Sequence, residues 1–280
     1  MGGLGEPRNY KTVMNNLKVG VILPCHSYKQ WLPEALDSVA TQTAMPYWVA
    51  MVQDGAEGIF EYDNIWLQYK GRNVFGEFRH LFTRDKQPAD SVQADRLRGL
   101  GVCTARNKGF EVSLERGLEW IIPLDEDDVL HPRFVEYTLR SAALLPEHHI
   151  HYTDWTIFGD SCGYTKTPEY SRERLFAAPF IPATSLIHRS VWERVKEANG
   201  TGYDPELDRL GLKWEDYLFY MEAACLGIKM ARVGIGLLRV RRHGESRTTD
   251  ADKTIAGWRE YAAAKLKRLY NFEVSWQESN

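Results

Sequence analysis

Four consecutive carboxylates, Asp125-Glu126-Asp127-Asp128, follow directly on the apolar run Trp120-Ile121-Ile122-Pro123-Leu124. Acids at the end of a buried strand repel one another and are costly to desolvate, so they require a counter-charge. A divalent cation carrying a phosphate ligand answers that need, because hard oxygen ligands suit Mg2+ or Mn2+. Alternation along an extended chain turns Asp125 and Asp127 to one side, where both can address one ion. The plainer alternative is a solvated acidic turn, with Asp128 capping a helix that starts near His131-Pro132.

The elements around this cluster read as an α/β chain. Lys18 to Pro24 is a short β-rich run stopped by proline, followed by a helical face from Trp31 to Thr41. A second strand, Tyr47 to Val52, ends in Gln53-Asp54-Gly55, completing a parallel βαβ unit. In such sheets ligands bind beyond the carboxyl ends of the strands. A short helix is expected over 65–69 and a third strand over 78–82. The polar stretch 85–98 reads as an exposed insertion. A helix over 103–116, closed by Gly117, precedes the acid-tipped strand, and another helix follows over 132–145.

Further on, strands are expected over 151–157, 180–188 and 229–240. Helices are expected over 190–198, with Ser190 as cap, and over 214–226, where Glu215 and Asp216 stand at the start and Gly227 after the end. A polar loop over 241–249 leads to a terminal helix over 254–270. That helix sets Trp258, Tyr261, Ala262, Leu266 and Tyr270 against Arg259, Lys265, Lys267 and Arg268.

Composition narrows the class. At 280 residues the chain suits one large α/β domain, and its 44% hydrophobic and 26% charged content is ordinary for a globular protein. The formal charge of −3 advertises neither nucleic acid nor membrane binding. The first residues lack the basic-then-apolar pattern of a secretory signal, and no apolar run reaches the length of a membrane span. Cytoplasmic residence follows as an expectation. Gly2 suggests myristoylation, but Glu6 stands where Ser or Thr is expected. Cys25, Cys103, Cys162 and Cys225 are too scattered for a zinc site or disulfide framework and read as reduced packing residues. His148, His149 and His151 suggest a metal, but alternation leaves only His149 and His151 on one face, too few to carry that reading.

Taken in order, these marks resemble a family 2 glycosyltransferase of the GT-A fold, from about Val19 to Ser246. Val21-Ile22-Leu23-Pro24 resembles the family's first nucleotide-binding strand, and Val52-Gln53-Asp54-Gly55 its "DDGS"-like strand end. Ala105-Arg106-Asn107-Lys108-Gly109 matches its "ARNxG" helix, Leu124 to Asp128 its DxD motif, and Trp214-Glu215-Asp216-Tyr217 its "ED" pair. Three departures stand out. Gln53 replaces a frequent acid, Cys25-His26-Ser27-Tyr28 follows Pro24, and the gap from Asp54 to Arg106 is long.

The resemblance implies a Rossmann-like, mostly parallel sheet flanked by helices, with a C-terminal acceptor-side region. Residues 1–17 form an N-terminal extension and 18–130 the nucleotide-sugar-binding half. Residues 131–253 form the acceptor and catalytic half of the same domain, and 254–280 a helix and tail. The implied reaction moves a sugar from a nucleotide-sugar donor, a UDP-sugar by default, to a hydroxyl. Pro24 and His26 would contact the nucleotide, Asp54 the base or ribose, and Arg106 the diphosphate or base. Asp127 becomes the direct ligand of Mn2+ or Mg2+, with His243 as a late ligand, and Asp125 the ribose or water-mediated contact. Asp216 becomes the general base that takes the acceptor's proton, with Glu215 beside it. Trp155 and Trp214 can stack on a sugar ring.

Several of these residues have a structural alternative: Asp54 as a turn residue, Arg106 in an ion pair, His243 on the surface, Glu215-Asp216 as helix-start charges, and Trp155 and Trp214 as core residues. A sugar nucleotidylyltransferase would also need a metal aspartate, but it should carry a glycine-rich loop after its first strand, and 24–28 contains no glycine. A non-catalytic nucleotide- or glycan-binding module is the other alternative. The acceptor is a glycan or lipid-linked glycan by default, with peripheral contact to the inner membrane face through the basic terminal helix. A hydroxylated DNA base is a further option, with Arg72, Arg79, Arg84, Lys86, Arg96 and Arg98 neutralising phosphates.

Overall fold

A computed structural model of the chain describes residues 17–55, 59–83, 99–244, 251–274 and 276. The N-terminal extension, the insertion over 85–98 and most of the 241–249 loop lie outside the described residues.

Strands β1 (Val19–Cys25), β2 (Trp48–Gln53), β3 (Phe78–Phe82) and β4 (Trp120–Pro123) pair in parallel, with β1 between β2 and β4. The first three step in one direction, and the chain then returns to place β4 on the other side of β1. That reversal opens a crevice at the carboxyl ends of β1 and β4, where such sheets bind ligands. Beyond β4 the sheet continues through β8 (Leu186–His188), β6 (His148–Gly159), β9 (Lys229–Arg242) and the two-residue β5 (Val129–Leu130), while β7 (Gly163–Thr165) pairs with β6. One sheet therefore runs through both of the expected halves.

Period-two alternation sorts the helices to the two faces. Val21, Leu23, Val49, Met51 and Ile122 face one core. Helices α1 (Leu32–Ala40), α2 (Ile59–Arg72) and α4 (Phe134–Leu144) cover it. Ile22, Trp48, Ala50, Val52 and Ile121 face the other core, covered by α3 (Val102–Glu115), α6 (Arg189–Asn199), α8 (Glu215–Cys225) and α9 (Ala251–Tyr270). The short α5 (Arg172–Ala177) and α7 (Pro205–Arg209) complete the described helices.

Several expectations are corrected. Helix α2 is much longer than 65–69, because Tyr62 and Tyr69 bury their rings one face apart from exposed Phe60 and Leu67. Only Leu186–His188 of the 180–188 run is strand; Pro182 cannot donate to a ladder, and 180–184 form an irregular cavity wall. Ser190 does not cap α6: His188 does, its ring accepting from the Ser190 backbone N–H. Asp128 does not cap α4, whose N-cap is Arg133.

The terminal helix packs onto the second core. Trp258, Ala262 and Leu266 are buried in the second core, and Lys265 is only 5% exposed. Its ammonium sits 2.6 Å from Asp204 and 3.1 Å from Glu222, joined by Tyr261 and Tyr270. Lys265 thus belongs to a buried ion cluster and not to the basic face expected of it. No described helix is long and apolar enough to cross a membrane. Arg72 and Arg79 are paired to Asp37 and Glu77. Arg84, Lys86, Arg96 and Arg98 lie outside the described residues. The four cysteines are free thiols. His151 hydrogen-bonds Ser141, and burial pushes its pKa down to about 4. Among the described residues no group of three His, Cys, Asp or Glu side chains is arranged to hold a metal.

Candidate active site

A cavity of about 1100 Å³ opens over the β1–β4 crevice. Pro24, His26, Asp54, Arg106, Asp125, Asp127, Trp155, Trp214, Glu215 and Asp216 all line it. His243 reaches its edge through Asp127. Every residue expected at the site is therefore gathered there, from positions up to 219 apart in sequence.

Eight carboxylates line this cavity, and their partners separate scaffold from chemistry. Glu126, which the sequence suggests only as pointing away from the ion, organises the loop after β1. One of its oxygens accepts the backbone N–H groups of His26, Ser27 and Tyr28 at 2.8, 3.0 and 2.9 Å; the other accepts the Tyr62 hydroxyl at 2.7 Å. Burial raises its pKa, and these donors oppose the rise. Asp54 accepts from the N–H groups of Leu100 and Gly101, each at 2.7 Å, and from the Thr83 hydroxyl at 2.8 Å. It therefore ties the two ends of the long insertion to the tip of β2. Its backbone carbonyl lies 2.8 Å from His26 Nδ1, which orients that ring. Asp208 accepts the N–H of Cys103 and so caps α3 from a distance, and a Cβ on Gly101 (φ +101°) would collide with it.

Asp128 accepts the backbone N–H of Arg241 at 2.9 Å, and Arg241 Nε donates to the carbonyl of Asp127 at 3.0 Å. Arg241 also pairs with Glu34 and lies over the rings of Trp31 and Phe158. These contacts clamp the end of β9 to the acidic tip and deliver His243, two residues on, to Asp127. His243 Nε2 lies 3.1 Å from Asp127 Oδ2, its ring packed against Trp31 and Tyr28. Burial and the neighbouring Asp125 raise the pKa of Asp127, and His243 opposes the rise. Burial, Asp127 and Asp125 raise Asp128 further. A carboxylate and an imidazole lie in contact here, beside a second carboxylate at Asp125 that remains 37% exposed, and both are donor types that a divalent cation accepts.

The "ARNxG" residues each have a structural task. Asn107 accepts from Trp192 Nε1 and the Tyr203 N–H and donates to the Tyr203 carbonyl, fixing the loop before α7. Gly109 lets α3 approach β1, where a Cβ would lie 2.9 Å from Ile22. Arg106 is 1% exposed and bridges Asp125 at 2.8 Å and Glu215 at 2.7 Å. Arg106 is thus in the ion pair that stood as its structural alternative.

Asp125, Asp127 and Asp216 are left with capacity for a ligand. Asp216 is one residue past Glu215 in the first turn of α8. Burial raises its pKa to about 7, Glu215 adds to the rise, and Arg106 opposes it. A carboxyl group poised near neutrality can take a proton at working pH. Trp214, just before it, holds φ +71°, a left-handed conformation unusual for a bulky side chain and one that collects at functional sites. The contacts of Glu126, Asp208 and Arg241 span about a hundred residues each, and no local pattern announces them.

No protein-family model and no curated protein sequence matches the chain. Solved structures do. Residues 1–349 of S. aureus TarS superpose with a TM-score of 0.60 at 16% identity, covering 90% of this chain and 66% of that one. The same protein in complex with UDP-GlcNAc gives 0.57 at 16% identity, over 92% and 74%. Mannosyltransferase PcManGT from Pyrobaculum calidifontis, in complex with GDP-Man and Mn2+, gives 0.56 at 13% identity, over 90% and 64%. The chain spans about two thirds of the length of the first of these and 44% of the longer S. aureus TarS structure. The mostly parallel sheet flanked by helices is thus a GT-A-like fold, as the resemblance implied.

Proposed function

We propose that this chain is a metal-dependent, inverting glycosyltransferase. It moves a sugar from a nucleotide-sugar donor, preferentially a UDP-sugar, to a hydroxyl of a glycan or lipid-linked glycan. One observation carries the reading: a single cavity holds the Asp127–His243 pair and the near-neutral carboxyl of Asp216. Complexes of fold neighbours with UDP, UDP-GlcNAc, and GDP-Man with Mn2+ support it.

In this reading the loop held by Glu126 and the ring of His26 receive the nucleotide, and Asp125 contacts its ribose. Asp127 and His243 would hold Mn2+ or Mg2+, which when bound would supply positive charge against the departing nucleoside diphosphate. Asp216 accepts the acceptor's proton as the oxygen attacks, and its near-neutral pKa makes it available in both protonation states around pH 7. A single base facing the attacking hydroxyl means direct displacement, with inversion at the anomeric carbon. Trp155 and Trp214 provide apolar walls for the sugars. A lipid-linked acceptor would bring the protein to the cytoplasmic face of the membrane, with Lys267 and Arg268 as the exposed basic pair of α9.

The test is a panel of nucleotide sugars with Mn2+, scored by thermal shift and by slow donor hydrolysis. UDP-sugars are expected to raise the melting temperature most and to be hydrolysed. A panel in which no nucleotide sugar stabilises the protein, with or without metal, would sink the reading.

A further inference from the structure

The cavity has a donor side and an acceptor side, and one buried side chain touches both. Arg106 projects from α3 beneath the cavity floor. One terminal nitrogen lies 2.8 Å from Asp125, at the tip of β4, and the other 2.7 Å from Glu215, at the start of α8. Its guanidinium rests 5.5 Å over the ring of Tyr203. Its side chain is 2% exposed, against 9% for Glu215 and 37% for Asp125. The fork therefore ends in two carboxylates from different elements, and this geometry leaves a diphosphate little of the guanidinium to contact.

We infer that Arg106 is a positioning residue, a buried clamp that locks the donor-contacting Asp125 to the first turn of α8 and so sets where Asp216 stands. This rests on the glycosyltransferase reading and replaces the direct diphosphate contact that the resemblance assigns to Arg106. Two planar N–H groups facing two carboxylates fix distance and angle together, which a lysine ammonium cannot do. The clamp also shapes the field at Asp216. The charged and titratable groups around it are Glu215 on its own helix, Arg106 from α3, Asp125 from the β4 tip, and the phenols of Tyr203 and Tyr220. Of these, Arg106 is the cation. Removing it leaves Glu215 and Asp125 to hold the proton on Asp216 more tightly.

Two variants and three readouts test the clamp. Asp216 is titrated directly by carbon-13 carboxyl resonances, and UDP affinity with Mn2+ is measured by calorimetry. Arg106→Gln is expected to move the Asp216 midpoint up by about one pH unit or more, with UDP affinity within about threefold of the parent. Arg106→Lys keeps the charge and loses the fork. It is expected to lower kcat for donor hydrolysis by on the order of tenfold while KM for the donor stays within about threefold. If Arg106→Gln does not fold, the kcat-against-KM split of Arg106→Lys decides. An unmoved midpoint, or a loss of UDP affinity of about tenfold or more in Arg106→Lys, overturns the inference and returns Arg106 to the diphosphate. Failure of the parent protein to bind UDP at all would instead count against the glycosyltransferase reading, and the midpoint measurement would still judge the clamp.

Discussion

On the proposed reading, the donor and acceptor sides of the cavity use the same residue type to opposite ends. On the donor side, Glu126, Asp54 and Asp128 accept backbone N–H groups and hold loops in place, and Asp127 faces an imidazole. On the acceptor side, Asp216 is half-buried beside another acid, with Arg106 engaged one residue away at Glu215. The first arrangement uses carboxylates to hold backbone and ring in place; the second leaves a carboxyl near neutrality, able to exchange a proton. Surroundings, more than residue identity, assign the roles.

If the two sides divide the labour in this way, the largest single effect belongs to Asp216. Asp216→Asn keeps shape and removes basicity. Turnover is expected to fall on the order of a hundredfold or more with UDP affinity unchanged, measured by donor titration followed by transfer assays. Transfer surviving near the parent level would make Asp216 a helix-start residue. Next in size, Asp127→Ala is expected to abolish the metal-dependent part of UDP binding, leaving the affinity seen with chelator. His243→Ala should weaken it on the order of tenfold, as calorimetry would register. If both variants bind UDP as the parent does, the donor side has been misassigned.

A smaller effect is expected at Glu126. Glu126→Gln keeps the volume but weakens four hydrogen bonds to one buried carboxylate. Stability should fall by about 1–3 kcal/mol and donor KM rise several-fold, with kcat nearly constant. Denaturant melts and donor kinetics without either change would release the loop from Glu126.

The acceptor side also has a stability signature. The folded pKa of Asp216 is about 7, against about 3.9 for an unfolded aspartate. Between those values the folded state binds more protons, so this group's contribution to stability falls as pH rises from about 4 to 7. Asp216→Asn lacks that slope. It should be more stable than the parent at pH 8, by roughly 1–3 kcal/mol, and gain little at pH 4. Equal melts at both pH values would mean Asp216 is not desolvated.

The parts of this comparison that local pattern reveals are the strands and the motif-bearing helices. Phe78–Phe82 forms the expected strand, and α3 and α8 begin within a residue of their expected starts. These elements are legible because periodicity and terminal glycines act within a few residues. Contacts across the sheet are not legible in that way. Nothing near Glu126 shows that its partners lie a hundred residues earlier, nor near Lys265 that Asp204 and Glu222 surround it. Asp54 was readable as a strand-end acid, yet its engagement by Leu100 and Gly101 depends on how a long insertion returns to the sheet. The acid types and their order point to the proposed reaction; the proposed division of the eight carboxylates into scaffold and chemistry needs three dimensions.

The most direct test of the central claim is calorimetric titration of UDP into the parent protein, once with Mn2+ and once with excess chelator. If Asp127 and His243 form a cation site completed by the diphosphate, UDP should bind on the order of tenfold or more tightly with Mn2+. Equal affinity in the two titrations would contradict it.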